Sequence, residues 1–188
     1  MGSKRHLLDE LFLDKNKPLY RFAKSMVLGR IPKEKFTAFI KERFHSSGIT
    51  IDALNISEIL SLTDCHPYYT QQFCHEICNA TLPRKHVTLT DIARAKEALL
   101  QSQSYAYTTI WESLSPKQRQ VMAALCQAPG ANIYSEEFMR RFSLAMPTIQ
   151  TAMKALLKKG FVEKENSHYI LSDIFFTEWI RRKTGYSS

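Results

Sequence analysis

A chain of 188 residues with 44% hydrophobic and 23% charged residues can bury one full core or two small ones and carries no sign of disorder, and no apolar run approaches the ~20 residues that cross a bilayer. The net charge of +8 and a pI near 9.4 would suit a polyanionic partner only if the cations gather on one face. The N-terminus MGSKRHLLDELF lacks the apolar core of a signal peptide, and three of the four cysteines crowd into one stretch, unlike a secreted disulfide scaffold, so reduced thiols and a cytoplasmic location are expected.

Residues 3–13 carry Leu7, Leu8, Leu11 and Phe12 at helical spacing behind a Ser cap, and NKPLYRFAKSMVLGRIP after them reads as irregular or partly extended. From Pro32 the pattern is helical: Phe36, Phe39, Ile40 and Phe44 fall on one stripe that Gly48 stops. IDALNISEILSLTDC follows with Leu54, Ile56, Ile59, Leu60 and Leu62, and then HPYYTQQFCHEICNATL, with proline near a helix start. TLTDIARAKEALLQSQ has Thr88 or Thr90 as its cap and Ile92, Ala95, Leu99 and Leu100 inside. Four helices with short connections predict a helical domain over roughly residues 30–105.

The pattern changes near Tyr107. SPKQRQVMAALCQA has a Ser cap, a first-turn proline and an apolar face of Val121, Met122, Leu125 and Cys126. YSEEFMRRFS is a short helix, and AMPTIQTAMKALLKKG a third, ended by Gly160. FVEKENSHYIL predicts two short strands around a Glu-Asn-Ser turn, and SDIFFTEWIRRK a capped helix, with Asp173 as the cap. Three helices followed by a hairpin is the order of a winged helix-turn-helix. The fold class expected is mainly α: a helical bundle, then a winged helix with one small hairpin.

Two stretches hold candidate chemistry. In DCHPYYTQQFCHEICNA, Cys74 and Cys78 share a helix face at i, i+4, but the other zinc ligands would be the adjacent Cys65 and His66, and no second pair stands at ligand spacing. Packed thiols are the expected state, with no metal bound. His66-Pro67 starts a helix whose N-terminal amides can receive an anion; the plainer alternative is a proline start with two packed tyrosines. On MPTIQTAMKALLKKG, burial of Ile149, Met153, Leu156 and Leu157 leaves Thr148, Gln150, Thr151, Lys154 and Lys158 outward, types that reach base edges and phosphates. Lys159 and Lys164 add charge, with His168 on the wing, while Glu163 and Glu165 would repel phosphates. From Ala106 onward, 11 Lys and Arg stand against 7 Asp and Glu, and the rest of the chain carries 15 against 11, so the excess is spread evenly. No Ser, His, Asp or Glu falls in a recognisable nucleophile-base motif.

GSKRHLLDELFLDKNKPLYRF, then DCHPYYTQQFC in a helical domain, then WESLSPKQRQVMAAL at the entry to a winged helix: in this order the sequence resembles the carboxy-terminal part of archaeal-type ATPases, in the STAND branch of AAA+ P-loop NTPases. The resemblance implies that Gly2 and Ser3 end a sensor strand and that residues 1–29 are core remnant and connector, 30–105 a lid and 106–188 a winged helix. The chain contains neither a G-x-x-x-x-G-K-[ST] phosphate loop nor an apolar strand ending in paired acids. It is therefore expected to be a regulatory fragment without ATPase activity, Met1 standing where an introduced start would. ATP and Mg would belong to the parent protein, with none tightly bound here. Cys65-His66-Pro67 aligns with the family's Gly-x-Pro motif, which implies Pro67 near the adenine and His66 near the nucleotide edge; Cys65 stands in place of glycine. At Asp173 the family's Asp-Pro becomes Asp-Ile, with a capping role. The implied partners are the missing ATPase core and, through the winged helix, DNA or a protein, and no membrane. The alternative is a stand-alone winged-helix transcriptional regulator.

Overall fold

The computed structural model describes residues 31–165 and 167–185. The helix expected over 3–13 and most of the connector after it lie outside them. The described residues hold eight helices and a two-stranded antiparallel sheet, in two compact units that divide between Gln101 and Ser102.

The first unit contains α1 (Lys33–Ser46), α2 (Ala53–Leu62), α3 (Pro67–Thr81) and the start of α4 (Leu89–Glu112). On α1, Phe36, Ile40 and Phe44 are buried at i, i+4, i+8. Phe39, expected on the same stripe, is 49% exposed, because a position three residues on from Phe36 falls at the edge of the face rather than its centre. Gly48 takes φ 72 and closes α1 with the paired bonds of a Schellman motif: the Ile49 N–H donates to the Phe44 carbonyl and the Gly48 N–H to that of His45, each at 2.9 Å. The chain then runs Ile49-Thr50-Ile51 alongside residues 85–87. The Thr50 N–H reaches the Lys85 carbonyl at 2.9 Å, the Val87 N–H reaches that of Thr50 at 3.0 Å, and the buried Asn55 amide caps the Val87 carbonyl at 2.9 Å.

Ile56, Ile59 and Leu60 of α2 are buried as their spacing predicts, whereas Leu54, in the first turn, is 81% exposed. On α3 the buried face is Tyr69, Thr70, Phe73, Ile77 and Thr81. Thr88, not Thr90, caps α4: its hydroxyl accepts from the Asp91 N–H at 3.3 Å, while the Asp91 carboxylate accepts from the Thr88 N–H at 3.0 Å. Ile92, Ala95, Leu99 and Leu100 are buried. The helix does not end before Tyr107 as the change of pattern suggested. It continues to Glu112, because Tyr107 and Trp111 resume an apolar stripe one turn apart and are both buried.

In the second unit, the end of α4 leads to α5 (Pro116–Gln127), α6 (Glu136–Phe142), α7 (Met146–Lys158), β1 (Val162–Glu165), β2 (His168–Leu171) and α8 (Ile174–Lys183). Ser115 and Gln118 form a reciprocal capping box at the start of α5. All four residues of its expected face, Val121, Met122, Leu125 and Cys126, are buried, and α5 packs on α7, α8 and β2. Behind it Tyr107 stacks on Phe176 at 5.0 Å, and Trp111 meets Trp179 edge-on at 6.2 Å.

Candidate functional site

The corner between α2 and α3 positions His66 and Pro67. Asp64 and Cys65 are both left-handed, at φ 49 and φ 52, a conformation that costs a non-glycine residue roughly 1–2 kcal/mol. What holds them there is the end of α2: the Cys65 N–H donates to the Leu60 carbonyl at 3.1 Å and the Asp64 N–H to that of Ser61 at 3.4 Å. Cys65 thus adopts the backbone that a glycine would adopt without strain. The His66 N–H then returns to the Thr63 carbonyl at 2.9 Å, and the Thr63 and Thr70 hydroxyls, both buried, meet at 2.7 Å, tying the end of α2 to the first turn of α3. His66 occupies the N-cap without a side-chain cap bond, and Pro67 is N1. Both are half-buried, and the His66 ring lies 4.8 Å from that of Tyr69.

Pro67 also lines a groove of about 470 Å³ between α1 and α3, with Phe36, Phe39 and Arg43 on one wall and Gln71 and Cys74 on the other. His66 does not line it. The groove was not legible in the sequence, since it arises where two helices come together; the exposed Phe39 is its nearest sequence trace.

Cys74 and Cys78 share a face of α3. Burial, and then the neighbouring Cys78, push the Cys74 thiol up to about 12. Burial does the same to Cys126, also to about 12, against the opposing charge of Arg181. Among the described residues no three His, Cys, Asp or Glu side chains come together as a metal-binding group.

The second candidate surface is on α7. Gln150, Thr151, Lys154 and Lys158 are exposed on it, with Lys159 exposed at its C-cap, whereas Thr148, expected outward, is half-buried. Gln150, Lys154 and Lys158 repeat every four residues and so form one line. Three residues, Ser143 to Ala145, separate α6 from α7: Ser143 takes φ 51, and Leu144 is buried as an anchor. In the hairpin, Val162 pairs with Leu171, Glu163 with Ile170, Lys164 with Tyr169 and Glu165 with His168. Partners share a face and successive residues alternate, so Lys164 lies on the side of the buried Val162 and Leu171. Glu163, Glu165 and His168 lie on the other. The wing therefore separates its lysine from its carboxylates, a separation that follows from the register.

Helices α5, α6 and α7 followed by the hairpin define the second unit as a winged helix, and residues 105–182 match the family model described as a probable winged helix domain. No curated protein matches the chain. Among solved structures the chain is similar to the Walker-type ATPase of Pyrococcus abyssi, with 18% identity and a TM-score of 0.62, over 93% of this chain and 49% of that one. It spans about half the length of that structure, and at this identity the likeness is one of fold. No described helix is long and apolar enough to cross a membrane.

Proposed function

We propose that this chain is the regulatory half of an ATP-driven switch, in which residues 30–105 act as the lid over a nucleotide held by a phosphate-loop domain and residues 106–188 pass the change on to DNA or to a protein. The observation that carries this reading is the extent of the fold likeness, which takes in nearly the whole chain but only about half of a Walker-type ATPase. Pro67 packs on the base and His66 lies at the nucleotide edge; the left-handed Cys65, in the place of a glycine, supports that assignment by keeping the backbone path glycine would take. ATP and Mg are held mainly by the other half, because a lid alone lacks the amides and the metal site that receive phosphates. The winged helix meets its partner through Thr148, Gln150, Thr151, Lys154, Lys158, Lys159 and Lys164.

Two measurements test the reading. Joined to a phosphate-loop domain encoded upstream, the protein binds ATP, and Pro67→Ala weakens that binding several-fold; the 188-residue chain alone turns over no ATP. Turnover by the chain alone, or unaltered ATP affinity in the Pro67→Ala protein, defeats the lid assignment. For the partner, DNA affinity is followed against salt concentration. If DNA is bound through the lysine line, replacing Lys154 and Lys158 with Ala lowers the slope of log K against log salt by about 2. A wild-type chain with no salt-dependent DNA binding assigns this face to a protein.

A further inference from the structure

The charges of the winged helix are sorted along the chain. From Ser143 to Met153, across the turn and the first half of α7, no residue is charged. The end of the helix that a helix-turn-helix sets against base edges therefore exposes Pro147, Gln150 and Thr151 but no cation. The nearest cations before it, Arg140 and Arg141, stand in the last turn of α6, with Arg141 laid over the Phe142 ring at 5.1 Å. Those after it begin at Lys154 and continue with Lys158 and Lys159, all exposed, at the end that leads into the wing. There the Gly160 N–H donates to the Leu157 carbonyl and the Phe161 N–H to that of Leu156, each at 3.0 Å, and β1 packs on α7. Glu163, four residues on from Lys159, is at most about 14 Å from it, and Glu165 shares its side of the hairpin. Lys154, Lys158 and Glu163 make no ion pair with a described residue. A positive strip thus passes into a negative one within a few residues.

We infer that this strip docks an acidic helix of a partner protein and not DNA: carboxylates one turn apart lie along Lys154 and Lys158, and a basic residue at the end of that helix meets Glu163 and Glu165. The inference rests on the reading of the winged helix as the output end of the switch, and names its partner. Three lysines against two glutamates leave the strip one net positive charge, too little for a duplex, whose affinity grows with each phosphate neutralised. Phosphates are all of one sign, so the carboxylates oppose a duplex wherever it touches this side of the wing. A protein can set opposite charges against both halves of the strip. The four-residue repeat of Lys154 and Lys158, about 6 Å along α7, selects a helix, because carboxylates four residues apart on a second helix have the same spacing.

The test uses the 188-residue protein and labelled probes, followed by fluorescence anisotropy at about 0.1 M salt. The probes are alanine-based helical peptides with glutamate at every fourth position, ended at either terminus by a lysine pair or a glutamine pair, and a mixed-sequence DNA duplex. The tighter of the two lysine-ended peptides binds more strongly than the duplex. Lys154→Gln with Lys158→Gln weakens every peptide about fivefold. Glu163→Gln with Glu165→Gln weakens the tighter lysine-ended peptide about threefold, and tightens the glutamine-ended peptides and the duplex. All four side chains are exposed, so equal thermal unfolding of the variants shows that the fold is kept. A duplex that binds more tightly than any peptide, absence of peptide binding, or peptide affinities that ignore either pair of substitutions overturns the inference. None of these outcomes touches the lid assignment, which stands or falls on ATP affinity and Pro67.

Discussion

Each unit sets one aspartate at the start of a helix, Asp91 buried in the first and Asp173 half-buried in the second, and the two are held in opposite ways. Asp91, at the third position of α4, is 2% exposed. Burial alone would raise its carboxyl, but bonds from the Thr88 hydroxyl at 2.7 Å, from Arg84 and from the Thr88 N–H, with the charge of Arg84, leave it below the ordinary carboxylate range. Asp173, the N-cap of α8, meets the same penalty, and there burial wins. It accepts from the Phe176 N–H at 2.9 Å and from the Phe175 N–H, but the Tyr107 hydroxyl reaches its two oxygens only at 3.4 Å and no cation among the described residues is paired with it, so its carboxyl rises. What decides the sign is the length of the hydroxyl bond, 2.7 Å against 3.4 Å, and the presence of one guanidinium, since burial acts in the same direction at both sites.

That contrast is open to attack at each aspartate. The largest effect is expected from Asp91→Ala, which leaves the Thr88 N–H without its acceptor and Arg84 without its anion. We expect a loss of about 2–3 kcal/mol from the first unit, a fall of roughly 10–20 °C in its midpoint. Both tryptophans of the chain, Trp111 and Trp179, lie in the second unit, so circular dichroism reports this loss while tryptophan fluorescence does not. Coincident shifts in both signals would mean that the two units unfold as one. A smaller effect, about 1 kcal/mol, follows from Asp173→Ala, which removes a helix cap; Asp173→Asn retains the acceptor without the charge and leaves stability at neutral pH unchanged or slightly higher. A destabilising Asn variant would show that the ionised form is the favoured one.

Acid gives the smallest effect and the sharpest difference in sign. The depressed Asp91 contributes stability that is present above its unfolded value and is lost as pH falls through its lower folded value. The raised Asp173 does the reverse: its contribution is full below the unfolded value and fades as pH rises through the folded one. As pH is lowered from about 6 to 3, Asp91→Asn should therefore flatten the acid-induced loss of stability read by circular dichroism. Asp173→Asn should steepen the loss read by tryptophan fluorescence. The same direction of change in both variants would refute the assignment.

The sequence discloses these helix starts unequally. Ser115-Pro116 with Gln118 and the lone Asp173 ahead of IFF are unambiguous caps, because capping is a matter of adjacent residues. Thr88 and Thr90 could not be separated in advance: both precede the apolar stripe, and what selects Thr88 is the side chain of Asp91 together with Arg84 from before the helix. Exposed Phe39 and Leu54 were misplaced for a related reason, since periodicity gives the direction of a face but not its width. The continuation of α4 past Gln103 was hidden by the polar run QSQSY, although Leu100, Tyr107 and Trp111 keep helical spacing across it. The positions of the α7 residues other than Thr148, and of His66-Pro67, followed from local pattern. The Arg43 and Gln71 contribution to the groove did not, because it depends on two helices meeting 28 residues apart in the chain.

Cys74 and Cys126 lie in different units, and both thiols are pushed up to about 12 by burial. At neutral pH neither holds an appreciable fraction of reactive thiolate while its surroundings stay closed. The winged helix therefore carries its own molecular clock: the rate at which an alkylating reagent marks the fully buried Cys126 records how often that unit opens, whereas Cys74 is half-buried at the wall of the groove and gives no such reading. The native chain can in this way report the opening of its winged helix without an added label.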